Sequence, residues 1–194
     1  MAELVNQSPI ALSDDMANLY TSELASSAVE LPHHRFGYRF ENIDKPIFVI
    51  DPATAPKVEY GGSEYKGAEF HFHAPTSEHT LNGKRFAAES HIVLASSDTS
   101  SLVLATMYKL TRKHCSAKFI RNVLARKPVR IPDIEEYFAY SGSLTQGQTD
   151  ETIDWVVNRR VEYITLEDWE ALELISQPPR EIQKRFGRVV ALQH

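Results

Sequence analysis

The sequence predicts a mainly antiparallel β-protein with accessory helices. Runs rich in β-branched and aromatic residues recur along the chain and are bounded by Gly, Pro, Asn and Asp, a pattern typical of strands. Stretches with a helical period are few, and no internal repeat is visible. The chain has 194 residues, 42% hydrophobic and 24% charged, which fits one globular domain over 1–194.

Seven segments have the strand pattern. In chain order they are YRFENI (38–43), PIFVID (46–51), AEFHFHAP (68–75), ESHIVLA (89–95), SLVLATMYKL (101–110), DWVVNRRVEYI (154–164) and GRVVAL (187–192). Two helices are predicted, over 116–126, where Pro128 would stop the helix, and over 165–175. The second begins with Thr165 and Asp168, which resemble a capping box.

Charge and cysteine content limit the possible functions. The net charge is -5 and no long Lys/Arg run is present, so neither a nucleic-acid nor a membrane-surface partner is expected, and the substrate is predicted to be small. Cys115 is the only cysteine, which excludes intrachain disulfides and Cys-rich zinc sites and leaves His and carboxylates as metal ligands. The amino-terminal segment has no apolar run typical of a signal peptide, so we expect a cytoplasmic location.

The segment FHFHAPTSEH (70–79) contains the first candidate functional residues. In a strand, His71 and His73 project from one face, while Phe70 and Phe72 enter the opposite layer. The two imidazoles then converge on one point. A lone His-x-His pair is more often hydrogen-bonded or exposed than metal-bound, so a third ligand is needed to choose between these interpretations.

His91, in the segment ESHIVLA, is the candidate third ligand. If the two histidine segments pair directly as a hairpin, a two-residue Asn82-Gly83 turn sends His91 to the wrong face. A three-residue loop over 81–83 instead places His73 opposite His91. We therefore expect the three-residue loop, on the condition that the two segments pair directly.

Three histidines on rigid strands suit a catalytic zinc site. Three neutral imidazoles leave the fourth tetrahedral position of Zn2+ open to water, as in catalytic rather than structural zinc sites. Glu69 and Glu89 precede His71 and His91 by two residues and share their strand faces. Each is a candidate acceptor for the spare ring N–H of its neighbour, and the alternative is that both are strand-edge charges facing water.

Several segments resemble, in order and spacing, the signature segments of the α-class carbonic anhydrases. They are EFHFHAPTSEHTLNG, AAESHIVL and YSGSLT, with NQSPIAL near the start and RVEYITLEDWEALELI and REIQKRFGRVV near the end. The resemblance extends from Asn6 to Leu192. It implies an α+β fold, mainly β, with a large, twisted and mostly antiparallel central sheet and a few short peripheral helices, in one domain that is short at its N-terminus.

The resemblance also implies a function, the zinc-dependent reversible hydration of CO2 to bicarbonate and a proton. Carried over by position, the zinc ligands are His71, His73 and His91, with Glu69 and Glu89 beside them. Thr145 is the gatekeeper, whose hydroxyl donates to the buried Glu78 and accepts from the zinc-bound hydroxide. Behind the site stands a structural pair, His79 and Tyr140, and the apolar wall for CO2 consists of Val93, Val103, Leu144 and Trp155.

The sequence departs from the family pattern at several places near this site. Pro178 replaces an Asn, and its backbone carbonyl is the group left to orient His73. Pro46 stands where many fast members carry a shuttle histidine, so we expect turnover to be slow or dependent on buffer. The Thr-Pro-Pro turn after the gatekeeper is replaced by Gln146, Gly147 and Gln148. Glu69 stands where Gln is common and adds negative charge beside the metal.

Two other functions remain open on the sequence. The first is a catalytically silent zinc-binding module of the same fold, although all three ligand histidines are present. The second is a cupin-like metalloenzyme, because His71-x-His73-x4-Glu78 also resembles the first cupin motif, in which Glu78 would be a metal ligand. No convincing second cupin motif follows.

Overall fold

The computed structural model describes residues 6–17, 28–97, 100–146 and 152–193. The strands are β1 (Ala11–Leu12), β2 (Tyr38–Asn42), β3 (Pro46–Ile50), β4 (Lys57–Tyr60), β5 (Ser63–His73), β6 (Thr80–Leu81), β7 (Ala88–Ala95), β8 (Ser101–Thr111), β9 (Tyr137–Gly142), β10 (Ile153–Asn158), β11 (Glu162–Thr165) and β12 (Ala191–Gln193). The helices are α1 (Asp14–Ala17), α2 (Lys118–Leu124) and α3 (Leu166–Glu173). Gly147 and Gln148 lie outside the described residues.

One ten-stranded sheet organises the described chain. Its strand order is β12-β9-β10-β8-β7-β5-β3-β2, with β11 also pairing with β8 and β4 with β5. The pairs are antiparallel except those that β10 and β11 make with β8. A separate parallel pair joins β1 to β6. The predicted fold class is therefore confirmed, because short helices accompany a large, mostly antiparallel sheet.

All seven predicted segments contain strand residues, but one of them divides into two strands, and some observed strands were not predicted. DWVVNRRVEYI divides into β10 and β11, because Asn158 makes a turn there: its side-chain amide donates to the Asp133 carbonyl and its side-chain oxygen accepts from the Arg160 N–H. The strands β1, β4, β6 and β9 were not predicted. The sequence of β9, YFAYSG, contains no β-branched residue, so it lacks part of the composition that identifies a strand.

Both predicted helices form, in shorter versions than predicted. Helix α3 begins as expected, since the Thr165 hydroxyl accepts a hydrogen bond from the Asp168 N–H at 3.3 Å. Helix α2 ends at Leu124, before Pro128, because Arg126 adopts a positive φ of 54°. Among the described residues, no helix is long and apolar enough to cross a membrane.

The predicted register between the two histidine strands is wrong. His71, and not His73, lies opposite His91, and His73 lies opposite Glu89. The observed pairing differs from the predicted one by an even number of residues. Since strand side chains alternate between faces with a period of two, the three histidines still share one face.

The turn beyond these strands explains the error. Asn82 and Gly83 form a two-residue turn with φ of 50° and 73°, and the flanking Leu81 and Lys84 exchange two hydrogen bonds of 3.0 Å. Positive φ at both central residues is typical of a type I′ hairpin turn. Residues 74–79 separate this turn from the end of β5, so the turn does not set the register of the long strands.

The two faces of the sheet carry two hydrophobic clusters. Alternate residues of β8 belong to different clusters: Leu102 and Leu104 to the first, Val103 and Ala105 to the second. The first cluster lies beneath α2 and α3 and is rich in aromatic rings. Within it Phe70 has no exposed surface and stacks on Phe48 at a centroid distance of 4.7 Å. The second cluster shares its face with the histidines.

We expect Phe70→Ala to destabilise the fold by about 3 to 5 kcal/mol, because it removes a fully buried ring and leaves a cavity. Urea denaturation measures this change in the free energy of unfolding. Phe40→Ala is the matched control, since Phe40 is 46% exposed and its loss should change stability much less. Equal losses in the two variants would contradict the assignment of Phe70 to the core.

Candidate metal centre

Three histidine side chains meet on one face of the sheet, at the pairing of β5 with β7. The ligand nitrogens of His71, His73 and His91 all lie within 4.8 Å of one another. The three side chains are buried, with exposures of 7%, 0% and 1%. The strand period brings His71 and His73 together, and the strand pairing adds His91. This arrangement is capable of holding a metal ion.

An oxygen atom faces the outer nitrogen of each imidazole. His91 Nε2 lies 3.1 Å from Glu89 Oε1, and His73 Nδ1 lies 3.3 Å from the Pro178 carbonyl oxygen. Both oxygens are acceptors, so these two nitrogens carry the proton of the neutral ring. The remaining nitrogens, Nδ1 of His91 and Nε2 of His73, therefore present lone pairs.

His71 has a weaker version of the same contact. Its Nδ1 lies 3.4 Å from Glu69 Oε1, longer than a well-formed hydrogen bond. The interaction with His71 nevertheless holds the pKa of Glu69 below its usual value, with a smaller contribution from Lys45. Glu69 is therefore an anion at neutral pH and an acceptor for His71.

Burial keeps the three imidazoles neutral. It lowers the pKa of His71 to about 4 and the pKa of His91 below its usual value. Burial also lowers the pKa of His73 far below the ordinary range, and the neighbouring imidazoles add to this shift. A metal ion binds the neutral form of histidine, so the site is ready to bind a metal at neutral pH without first losing protons.

Glu78 lies against the lone pairs of two of these histidines. Its Oε2 is 3.4 Å from His73 Nε2 and 3.9 Å from His91 Nδ1, and its Oε1 accepts a 2.7 Å hydrogen bond from the Arg180 backbone N–H. Burial raises the pKa of Glu78 to about 7, against the opposing effects of the Arg180 N–H and the Thr145 hydroxyl. Thr145 is thus in position to interact with this carboxyl group.

Glu89 anchors a hydrogen-bonded chain behind the site. Its carboxylate accepts from the His79 backbone N–H at 2.8 Å and lies 2.6 Å from His79 Nδ1, in addition to its contact with His91. Burial alone would raise the pKa of Glu89, but His79 and His91 hold it well below its usual range. His79 Nε2 then reaches the Tyr140 hydroxyl at 2.7 Å, and that hydroxyl donates to Ser8 Oγ at 3.1 Å.

An apolar wall continues the histidine face. The buried Val103 and Trp155 belong to the second hydrophobic cluster, and the partly buried Val93 and Leu144 pack against it. The Trp155 ring lies 4.9 Å from the His91 ring, measured between centroids. The structure therefore places Trp155 beside His91, and places the other three wall residues in or against the same hydrophobic cluster.

A chain of hydrogen bonds at Gln146 was not predicted. The Lys45 ammonium donates to Gln146 Oε1 at 2.9 Å, and the Gln146 amide in turn donates to Gln177. Gln177 donates to the Pro46 carbonyl at 2.8 Å, and its backbone bridges to His73. This chain therefore connects the residue after Thr145 to the backbone of a ligand strand.

Ser8 and the Arg180 backbone N–H were not predicted either. Ser8 lies in the segment NQSPIAL, which carries part of the family resemblance, so that segment was the available signal. The N–H of Arg180 bonds Glu78 across 102 positions of sequence. A backbone group has no sequence signature, so no pattern could have identified this contact.

The fold and the site define a β-sheet protein with a buried three-histidine centre capable of binding a metal ion. A family model described as eukaryotic-type carbonic anhydrase matches residues 1–110. Alpha carbonic anhydrase 5 of Arabidopsis thaliana is 31% identical over 157 residues, which cover 70% of this chain and 56% of that protein.

Two solved structures resemble this fold closely. The alpha-carbonic anhydrase of Photobacterium profundum has a TM-score of 0.81 at 22% identity, covering 100% of this chain and 91% of the other. The alpha-carbonic anhydrase of Thermovibrio ammonificans, in complex with the inhibitor sulfanilamide, has a TM-score of 0.78 at 25% identity, covering 97% and 87%.

The chain belongs to the eukaryotic-type, or α-class, carbonic anhydrase family. The cupin interpretation is therefore wrong, since both the family and the fold are those of carbonic anhydrases. The chain covers 56% of the length of the Arabidopsis relative. Zinc dependence is a property of the family, and the three histidines of this chain can hold such an ion.

Glu89→Gln should weaken zinc binding by about 10- to 100-fold, because a neutral amide orients the His91 ring less well than a carboxylate does. Competition with a chromophoric chelator measures the affinity. Glu59→Gln, at an exposed position of β4, is the control and should leave the affinity unchanged. Equal affinities of the two variants would show that Glu89 does not support the ligand.

Proposed function

We propose that the protein catalyses the zinc-dependent reversible hydration of CO2 to bicarbonate and a proton. The observation that carries this proposal is the set of three buried, neutral imidazoles whose inner nitrogens face one another on one sheet face. Membership of the α-class family supports the same reaction. At an identity of 31% or below in the relatives described above, the activity of this chain itself is a proposal.

The residues present fit a zinc ion. His73 Nε2 and Glu78 Oε2 are buried, face each other at 3.4 Å and have no hydrogen-bond partner among the described residues. A buried lone pair without a partner is destabilising, and a cation removes that cost. A set of three histidines with one open position is the donor set of catalytic zinc. His71, His73 and His91 would hold the ion.

Bound zinc lowers the pKa of water to about 7 and so makes water a nucleophile at neutral pH, a value established for carbonic anhydrases and not obtained from this structure. The protein orients that nucleophile. Glu78, held by the Arg180 N–H at 2.7 Å, is in position to accept a hydrogen bond from the Thr145 hydroxyl. The Thr145 oxygen can then act only as an acceptor, so the nucleophile has to donate its O–H to Thr145. This contact orients the nucleophile and leaves its reacting lone pair pointing away from Thr145.

The apolar wall binds and orients CO2. CO2 has no charge, and a surface formed by Val93, Val103, Leu144 and Trp155 offers it dispersion contacts without competing hydrogen-bond donors. The Trp155 indole N–H donates to the Ser143 carbonyl at 3.0 Å, so this polar group does not disturb the wall. The carbon atom is thereby presented to the nucleophile beside the histidines.

Proton release is the step of the proposed reaction that limits turnover at this site. Each turnover leaves one proton, which must travel from the buried centre to the solvent. Pro46, at the position where the family resemblance puts a shuttle histidine, has no ionisable group. Solution buffer therefore has to accept the proton, which limits turnover when buffer is scarce.

Zinc-loaded protein should hydrate CO2 in a stopped-flow assay, and His91→Ala should abolish the reaction because it removes a ligand. Thr145→Ala should slow it by about 100-fold, because the nucleophile loses its orienting acceptor. His34→Ala and Thr152→Ala, both at exposed positions, are the matched controls and should keep the wild-type rate. Absence of hydration at one bound zinc per chain would refute the enzyme and leave a silent zinc-binding module.

Pro46→His should raise turnover at low buffer concentration by about tenfold or more, because an imidazole carries protons near neutral pH. The wild-type rate should rise with buffer concentration, and the rate of the variant should rise less. Stopped-flow assays at two buffer concentrations measure both effects. A wild-type rate that does not depend on buffer would mean that another residue of the chain accepts the proton.

A further inference from the structure

A second concave site lies on the opposite face of the sheet from the histidines. It is a cavity of about 400 Å3, with Tyr108 of β8 among its lining residues. The Tyr108 hydroxyl lies 2.9 Å from Ser90 Oγ. Ser90 lies between Glu89 and His91 in β7, so its side chain projects from the opposite face of the sheet. The cavity and the metal centre are therefore separated by the thickness of the sheet.

Four long cationic side chains line this cavity, together with two carboxylates. Arg130 is paired with Asp133 at 3.0 Å, and Arg160 with Glu162 at 3.2 Å. Arg35 and Lys118 also line the cavity, and neither has an ion-pair partner among the described residues. The cavity thus has two excess positive charges, although the whole chain has a net charge of -5.

We propose that this cavity binds a small molecule carrying a phosphate group, which Arg35 and Lys118 contact directly. The two residues come from different parts of the chain, the segment before β2 and the helix α2, so the fold itself brings the like charges together. Like charges in a concavity repel each other, and a dianion between them removes that repulsion. The planar guanidinium and the compact ammonium both form strong hydrogen bonds to phosphate oxygens.

The other residues that line the cavity can accommodate a molecule larger than an inorganic ion. Phe119, Ile131 and Pro132 contribute apolar groups to the lining of the cavity. A volume of about 400 Å3 is far larger than one phosphate group requires and is within the range of small-molecule sites. An organic phosphate monoester therefore fits the cavity, with its carbon part in contact with these apolar groups.

Isothermal titration calorimetry with inorganic phosphate, on the zinc-loaded full chain at constant ionic strength, tests the proposal. We expect one saturable site. Arg35→Gln/Lys118→Gln should weaken it by about tenfold or more, because two charge-assisted hydrogen bonds are lost. Lys84→Gln/Lys113→Gln is the matched control: it removes the same charge from exposed lysines outside the cavity and should leave the affinity unchanged.

Two further titrations distinguish this cavity from the metal centre and from nonspecific anion binding. Metal-free protein should bind phosphate equally well, because the cavity lies away from the histidines. Acetate should bind at least tenfold more weakly than phosphate, since it has a single charge and fewer acceptor oxygens. Glycerol phosphate binding more tightly than inorganic phosphate would assign the site to an organic phosphate, and equal binding would assign it to the free ion.

Four outcomes would overturn the proposal. They are the absence of saturable binding, an equal loss in the two double variants, a requirement for the metal, and acetate binding as tight as phosphate binding. None of these results depends on CO2 hydration. The proposed function and the phosphate site can therefore fail independently of each other.

Discussion

The pairing of β5 with β7 is the constraint on which the rest of the structure depends. It places His71 opposite His91, and the strand period adds His73 to the same face. The same alternation sends Phe70 and Phe72 into the aromatic cluster on the other face. A slip of one residue would exchange the two sets and would bury imidazoles among aromatic rings, so packing of the core enforces the geometry of the metal centre.

Burying two carboxyl groups at this site costs free energy and also fixes the positions of the groups that contact them. Glu78 and Glu89 are both almost fully buried, and an isolated carboxylate in such a place would not remain ionised. Glu89 is held as an anion by His79 and His91, which it orients in return. Glu78 lacks an equivalent set of donors, so its pKa rises to about 7 and its free oxygen faces the histidine lone pairs. A bound dication would balance this second carboxyl group.

Local sequence was sufficient for the elements that are rich in β-branched and aromatic residues or that carry a cap. The strands around His71 and His91 and the Thr165 cap of α3 were predicted for this reason. The strand β9 was missed because its sequence YFAYSG contains no β-branched residue, and its partners are brought to it only by the folded sheet. The register failed for a different reason, since residues 74–79 separate the hairpin turn from the long strands.

The sequence by itself determined that His71 and His73 share one face, because side-chain alternation in a strand is a local property, and it identified His91 as the candidate third ligand. Only the tertiary structure brought in the contacting groups that lie far from them in sequence. The Pro178 carbonyl reaches His73 across 105 positions, and the Arg180 N–H reaches Glu78 across 102. The cationic cavity arose in the same way, from segments distant in sequence. Such contacts depend on how the chain packs, and no local pattern encodes them.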